Sequence, residues 1–181
     1  KILIAKRKIN MNVVFKDNIE LLFLNEKLTD YNTRKEYMEE LFTKNDSNMI
    51  KYELNFIHEN IKILQNKYIE IQLLKLEEYN CKITIKCNVY LIETDDFLII
   101  LYKELPIKKP SFYIRSIKDN ININYEIAID CIFDKAPKKI KILYFIKNKL
   151  DNWNSQYELH QYIPYLNYLG NLLNRTLLTL D

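Results

Sequence analysis

The sequence predicts an α+β protein: N-terminal helices, a four-stranded antiparallel meander, then C-terminal helices. Three observations carry this reading. Leu54, Ile57, Ile61, Leu64, Tyr68 and Ile71 recur at alternating steps of three and four, the spacing of one helix face. From Cys81 the apolar period drops to two, as on a half-buried strand, and turn signals recur at short intervals. After Ala136-Pro137 the helical period returns and continues through Leu180.

Residues 17–44 place Ile19, Leu22 and Phe23, then Tyr37, Met38, Leu41 and Phe42, on helical faces separated by the polar Asp30-Tyr-Asn-Thr33, which predicts two short helices. Asn45-Asp-Ser-Asn48 is a turn, and its short polar side chains suit the cap of a helix starting near Ser47. The Leu54–Ile71 seam stops at Lys75, short of the three to four heptads of a free-standing coiled coil, so either its own domain or a partner helix covers it. Cys81 to Leu91 reads as one strand, Phe97–Tyr102 as the second, Ser111–Ile117 as the third, and Tyr125, Ile127, Ile129, Cys131 and Phe133 as one face of the fourth. Ile140 to Leu150 suits a helix opening after Pro137, its β-branched content leaving a strand open. Residues 155–180 form a helix bent or split near Pro164 and Gly170. The expected organisation is a helical extension at 1–48 and an α+β domain with its long helix at 49–181.

One glycine in 181 residues excludes phosphate-cradling loops, and with them Walker-type ATPases and dinucleotide-binding folds. The excess of 27 basic over 24 acidic residues is too small and dispersed to announce nucleic acid or a membrane. Cys81, Cys87 and Cys131 are odd in number and lack paired spacing. With no cleavable signal and no apolar run near ~18 residues, cytoplasm or nucleus is expected, a targeting segment before Lys1 being left open. Asn45-Asp-Ser47 and Asn174-Arg-Thr176 are then chance sequons. Cys81 and Cys87, read on one strand face, stand some ~20 Å apart and cannot share a metal. No cofactor and no metal are expected. His58 reads as a surface residue, Asp95-Asp96 as a turn, and the run Lys135, Lys138, Lys139, Lys141, Lys147 and Lys149 as a solvated helix face.

Leu105-Pro106-Ile-Lys-Lys-Pro110-Ser-Phe-Tyr-Ile114 resembles the Tyr-Pro-Phe-Lys-Pro-Pro segment of the ubiquitin-conjugating fold and the strand after it. Asn120-Ile-Asn-Ile-Asn-Tyr-Glu-Ile127-Ala128-Ile129-Asp130 is similar to that family's active-site segment, and Ala136-Pro137 to its Trp-Ser-Pro turn. The resemblance covers residues 81–150 and implies a UBC, UEV or RWD domain. Asn120 matches the asparagine that polarises the thioester carbonyl, while Ala128 stands where the family places its thioester-forming cysteine, so the resemblance implies an inactive relative. Lys118-Asp119 replaces the family's His-Pro.

The expected function is a non-catalytic protein-binding module, an adaptor in a ubiquitin-like pathway or an assembly subunit of a hetero-complex. Its expected partner-binding residues are Leu54, Ile57, Ile61 and Leu64 on the seam and Tyr157, Tyr162, Tyr165 and Tyr168, which cannot all face one core. One alternative is a coiled-coil RWD scaffold subunit of the kinetochore type. Another is an active conjugating enzyme whose nucleophile has moved to Cys131 or been lost at Ala128. Strand parity places Cys131 with Ile129 and Phe133, which reads as a buried inert thiol.

Overall fold

A single helix, α1 (Ile2–Lys44), runs straight through the Asp30–Thr33 segment where two helices are expected. The polar side chains there turn back on their own helix. Thr29 and Thr33 hydroxyls donate to the carbonyls of Asn25 and Thr29, and the Asn32 amide donates to that of Leu28, each four residues earlier. Bonded in this way, they do not compete for the ladder. The computed structural model describes residues 2–45, 47–106, 108–153 and 158–178.

The chain divides into two compact units, Lys1–Leu73 and Leu74–Asp181. In the first, α2 (Asn48–Glu77) begins where expected, with the Ser47 hydroxyl accepting from the Met49 amide at 3.3 Å. Its antiparallel register on α1 follows from two ion pairs. Glu20 meets Lys67 at 3.0 Å and Arg34 meets Glu53 at 3.2 Å, so an advance of fourteen residues along α1 matches a retreat of fourteen along α2. Between the pairs, Leu28, Ile57 and Ile61 form a buried cluster with Tyr31, Met38 and Leu64 packed against it. At Ile57, Ile61 and Leu64 the seam is thus covered by α1, one of the two coverings its spacing allows.

In the second unit five strands form one antiparallel meander in chain order: β1 (Lys82–Lys86), β2 (Val89–Glu93), β3 (Phe97–Tyr102), β4 (Ser111–Ser116) and β5 (Ile121–Asn124). The expected first strand is a hairpin. Cys87 and Asn88 both have positive φ, 43° and 70°, and form a two-residue turn that pairs Lys86 with Val89. Without a glycine at the turn, the two-residue alternation runs unbroken through it, so the reversal is not visible as composition. Cys81 consequently precedes β1 and Cys87 sits in the turn; the two do not share a strand face.

The expected fourth strand is also corrected. Residues Tyr125–Lys135 form a helix, α3, and only Ile121–Asn124 is strand. Asn124 is the cap, its side chain accepting from the Glu126 amide at 2.9 Å. The buried residues of α3 are Tyr125, Ala128, Ile129 and Ile132, a helical set that coexists in the sequence with the period-two set. Ala136 ends α3, a 3-10 turn follows at Pro137–Lys139, and α4 (Ile140–Asp151) is helical as read, burying Leu143, Ile146 and Leu150.

A second 3-10 turn, Leu159–Tyr162, leads into α5 (Ile163–Leu178), which neither Pro164 nor Gly170 breaks. Pro164 lies in the first turn, where its missing N–H is not needed. Gly170 is where α5 meets the β2–β3 turn: a Cβ there would stand 2.8 Å from the Asp96 Cβ and 2.9 Å from its carbonyl oxygen. α3 and α5 pack on β4, α5 also on β3, and α4 on α3. Along β4 the side chains alternate, Phe112, Ile114 and Ser116 being buried. Phe112 meets the rings of Tyr162 and Tyr125 at 5.3 and 6.3 Å. Asn174, buried on α5, ties the end of β4 in place, accepting from the Ile117 amide and donating to the Arg115 and Gly170 carbonyls. Its amide is thereby committed to the interior, in keeping with a chance sequon at Asn174-Arg-Thr176.

Candidate protein-docking face

α4 needs only Leu143, Ile146 and Leu150 to dock on its unit, an i, i+3, i+7 stripe. Yet the same helix carries Ile140, Ile142, Tyr144 and Phe145, all exposed, and α3 adds exposed Phe133. Burying a side chain of this size is worth roughly 1.5–3 kcal/mol, so leaving several together in water sacrifices stability that the fold does not recover.

Three of them, Phe133, Ile140 and Tyr144, surround a groove. Ile129 of α3 and Leu143 of α4 form its floor, Phe133, Ile140 and Tyr144 its walls, and Asp130 and Lys147 its charged edges, enclosing about 200 Å³. Tyr144 is 66% exposed, so much of its ring stands free of its own unit. The end of the α3–α4 pair away from the connecting turn is fixed by Tyr125, whose hydroxyl contacts the Asp151 carboxylate and lies 3.2 Å from Glu126. Burial, then Asp151 and Glu126, push that phenol well above the ordinary tyrosine value and keep it protonated. On the other side of α4, Phe145 packs edge-on against Tyr165, ring centroids 5.9 Å apart, with Lys149 5.5 Å from the Phe145 centroid.

Charge around the face is uneven. Residues 135–149 contain six lysines and no carboxylate, four of the six lying between residues 135 and 141. Lys138 and Lys139 precede α4 and Lys141 occupies its first turn, where there is no acidic residue and no side-chain cap. Cations at the positive end of a helix dipole are unfavourable by about 0.3–1 kcal/mol each. At the opposite end of the pair Glu126 and Asp151 stand near Lys147 and Lys149, and Asp130 sits midway along α3. Lys147 meets Asp151 only loosely, at 3.9 Å.

The residues singled out in the sequence fall elsewhere. Ile57 and Ile61 are buried in the first unit, with Leu54 and Leu64 half-buried beside them, so α1 occupies this seam and little of it faces outward. Tyr162 is buried against Phe112, Tyr165 and Tyr168 are half-buried, and Tyr157 lies outside the described residues. Asn120 turns the chain into β5 with φ 51°, its amide oxygen accepting from Arg115 at 2.9 Å. Ala128 is fully buried in α3, where a nucleophile would have no access to a carbonyl substrate. Cys131, read as a buried strand thiol, is exposed on α3, because helical rotation rather than strand parity sets its direction. His58 is exposed, as expected. Asp95-Asp96 does form a turn, the Thr94 hydroxyl accepting from the amides of Asp96 and Phe97.

A buried polar cluster escaped the sequence reading. Lys75 is 5% exposed, and its ammonium meets Glu158 at 2.5 Å; Glu158, 2% exposed, also meets His160 Nδ1 at 2.9 Å. Burial alone would raise the Glu158 carboxyl, but the hydrogen bonds and charges of His160 and Lys75 outweigh it and hold it below the ordinary value. Tyr79 stacks on His160, centroids 5.7 Å apart. Among the described residues no group of three or more His, Cys, Asp or Glu is placed to hold a metal, and no helix is long and apolar enough to cross a membrane. In comparisons with known proteins, no family model, no curated protein and no solved structure matches this chain.

Proposed function

We propose that this chain is a non-catalytic protein-binding subunit that receives its partner on the α3–α4 face. The observation that carries the reading is the groove itself: exposed Phe133, Ile140 and Tyr144 around a floor of Ile129 and Leu143. Aromatic and aliphatic anchors in a pocket held by packed helices are what binding hot spots consist of. The role of adaptor in a ubiquitin-like pathway rests on the resemblance of residues 81–150 to the UEV and RWD domains, and Ala128 in place of a thiol favours binding over transfer.

The test is to co-purify the tagged full chain from its native cells, identify the bound protein, and reconstitute the pair. Phe133→Ala with Tyr144→Ala should weaken the reconstituted complex at least ~30-fold, the equivalent of ~2 kcal/mol for hot-spot residues, with the fold unchanged by circular dichroism. Cys131→Ser should leave it intact. Unaltered affinity in the double variant refutes the docking face, and loss of function in Cys131→Ser with the fold preserved revives the conjugating enzyme.

A second reading, the helical scaffold, is favoured by one observation. Met49, Tyr52, Phe56 and Ile63 are exposed along α2 at i, i+3, i+7 and i+14, a stripe distinct from the buried Ile57 and Ile61. If α2 is the assembly surface, Tyr52→Ser with Phe56→Ser releases the partner while the α3–α4 double variant does not.

A further inference from the structure

We infer that the partner segment for the α3–α4 groove is an amphipathic helix whose apolar face enters the groove and whose acidic end lies over the turn joining the two helices. This rests on reading the face as a protein-docking site and names the chemistry of what docks there. A concave slot between two helices fits the ridge of a third, as ridges of side chains on one helix pack into grooves on another. Phe133 and Ile140 stand near the turn, and Tyr144 one helical turn further along α4, so anchors spaced i, i+3 or i+4 on the partner meet the walls in succession.

Charge sets the direction in which the segment lies. At the turn, Lys135, Lys138, Lys139 and Lys141 face a single nearby carboxylate, Asp134, and three of them crowd the uncapped N-terminus of α4. Acidic side chains placed there relieve repulsion that the chain itself leaves standing. At the other end Glu126 and Asp151, with Asp130 midway along α3, offset the two lysines there, Lys147 and Lys149, so positive charge is concentrated at the turn and an acidic segment lies one way round. The same carboxylates argue against a flat anionic bilayer, which would meet them together with the lysines.

The probe is a phage-displayed library of 18-residue helical peptides with leucine fixed at i, i+3 and i+7 and Asp, Glu, Lys or Ser varied at both ends, selected on the full chain. Expected winners carry carboxylates at one end only and bind about tenfold more weakly to Lys138→Glu with Lys139→Glu, with a loss that shrinks in high salt. They also lose binding to Phe133→Ala with Tyr144→Ala. Winners that need Phe133 and Tyr144 but show no charge preference overturn the acidic partner and leave the docking face standing. Winners indifferent to Phe133 and Tyr144 overturn both. Sedimentation of the chain with phosphatidylserine vesicles, abolished by Ile140→Ser with Tyr144→Ser, would assign the face to a membrane instead and also overturn the proposal.

Discussion

Replacing Glu158 by glutamine removes one negative charge and almost no volume, which isolates the electrostatic part of the Lys75–Glu158–His160 cluster. Lys75, a residue 5% exposed, keeps its charge but loses the carboxylate 2.5 Å away. Breaking a buried pair by removing one partner costs about 3–5 kcal/mol, because the remaining charge stays desolvated. The value is a cost of truncation, not the worth of the pair: Lys75→Met with Glu158→Leu, which removes both charges, should lie within about 1 kcal/mol of the native chain or above it. The pH dependence has a definite sign. The folded carboxyl lies below its ordinary value of 4.5, so its stabilisation is fully present above that pH and is lost as pH falls through the folded value. Urea unfolding at pH 7 should place Glu158→Gln about 3–5 kcal/mol below the native chain, and the gap should narrow as pH falls from about 4.5 through the folded value, below which the native acid is neutral too. A gap under about 1 kcal/mol at pH 7, or one that widens in acid, would refute this account of the cluster.

Gly170→Ala sets a helix-propensity gain of about 1 kcal/mol against contacts at 2.8 Å with the Asp96 Cβ and 2.9 Å with its carbonyl oxygen, neither of which side-chain rotation can move. Overpacking at about 1–3 kcal/mol should win, lowering stability by roughly 1 kcal/mol in a urea titration; a more stable variant contradicts the close approach of α5. Asn174→Ala orphans the Ile117 amide and the Arg115 carbonyl, at about 1–3 kcal/mol for each group. Hydrogen exchange at Ile117 should accelerate, and unchanged protection would exclude that bond. With a thiol reagent at pH 8, Cys87 and Cys131 should react in the native chain before Cys81, whose thiol is half-buried and pushed up by burial; mass spectrometry of the labelled peptides would expose any other order.

What the sequence by itself determined is what local spacing encodes: the long helix through Leu54–Ile71 and its start at Ser47, and the strands around Phe97–Tyr102 and Ser111–Ser116, while after Pro137 it favours a helix and leaves a strand open. In each, one periodicity dominates and a turn or cap residue marks the boundary. Three decisions belonged to tertiary structure. Tyr125–Lys135 carries both periods at once, and the Asn124 cap together with burial of Tyr125, Ala128, Ile129 and Ile132 selects the helix. The Cys87-Asn88 reversal lacks its usual glycine, so only the pairing of β1 with β2 reveals it. The candidate site depends on the first of these decisions: once residues 125–135 are helical, Phe133 meets Ile140 and Tyr144 across a groove and Cys131 turns outward, relations that a strand would not produce. Lys75 and Glu158 lie more than eighty residues apart, and their meeting is set by long-range packing, which leaves no periodic trace in either neighbourhood.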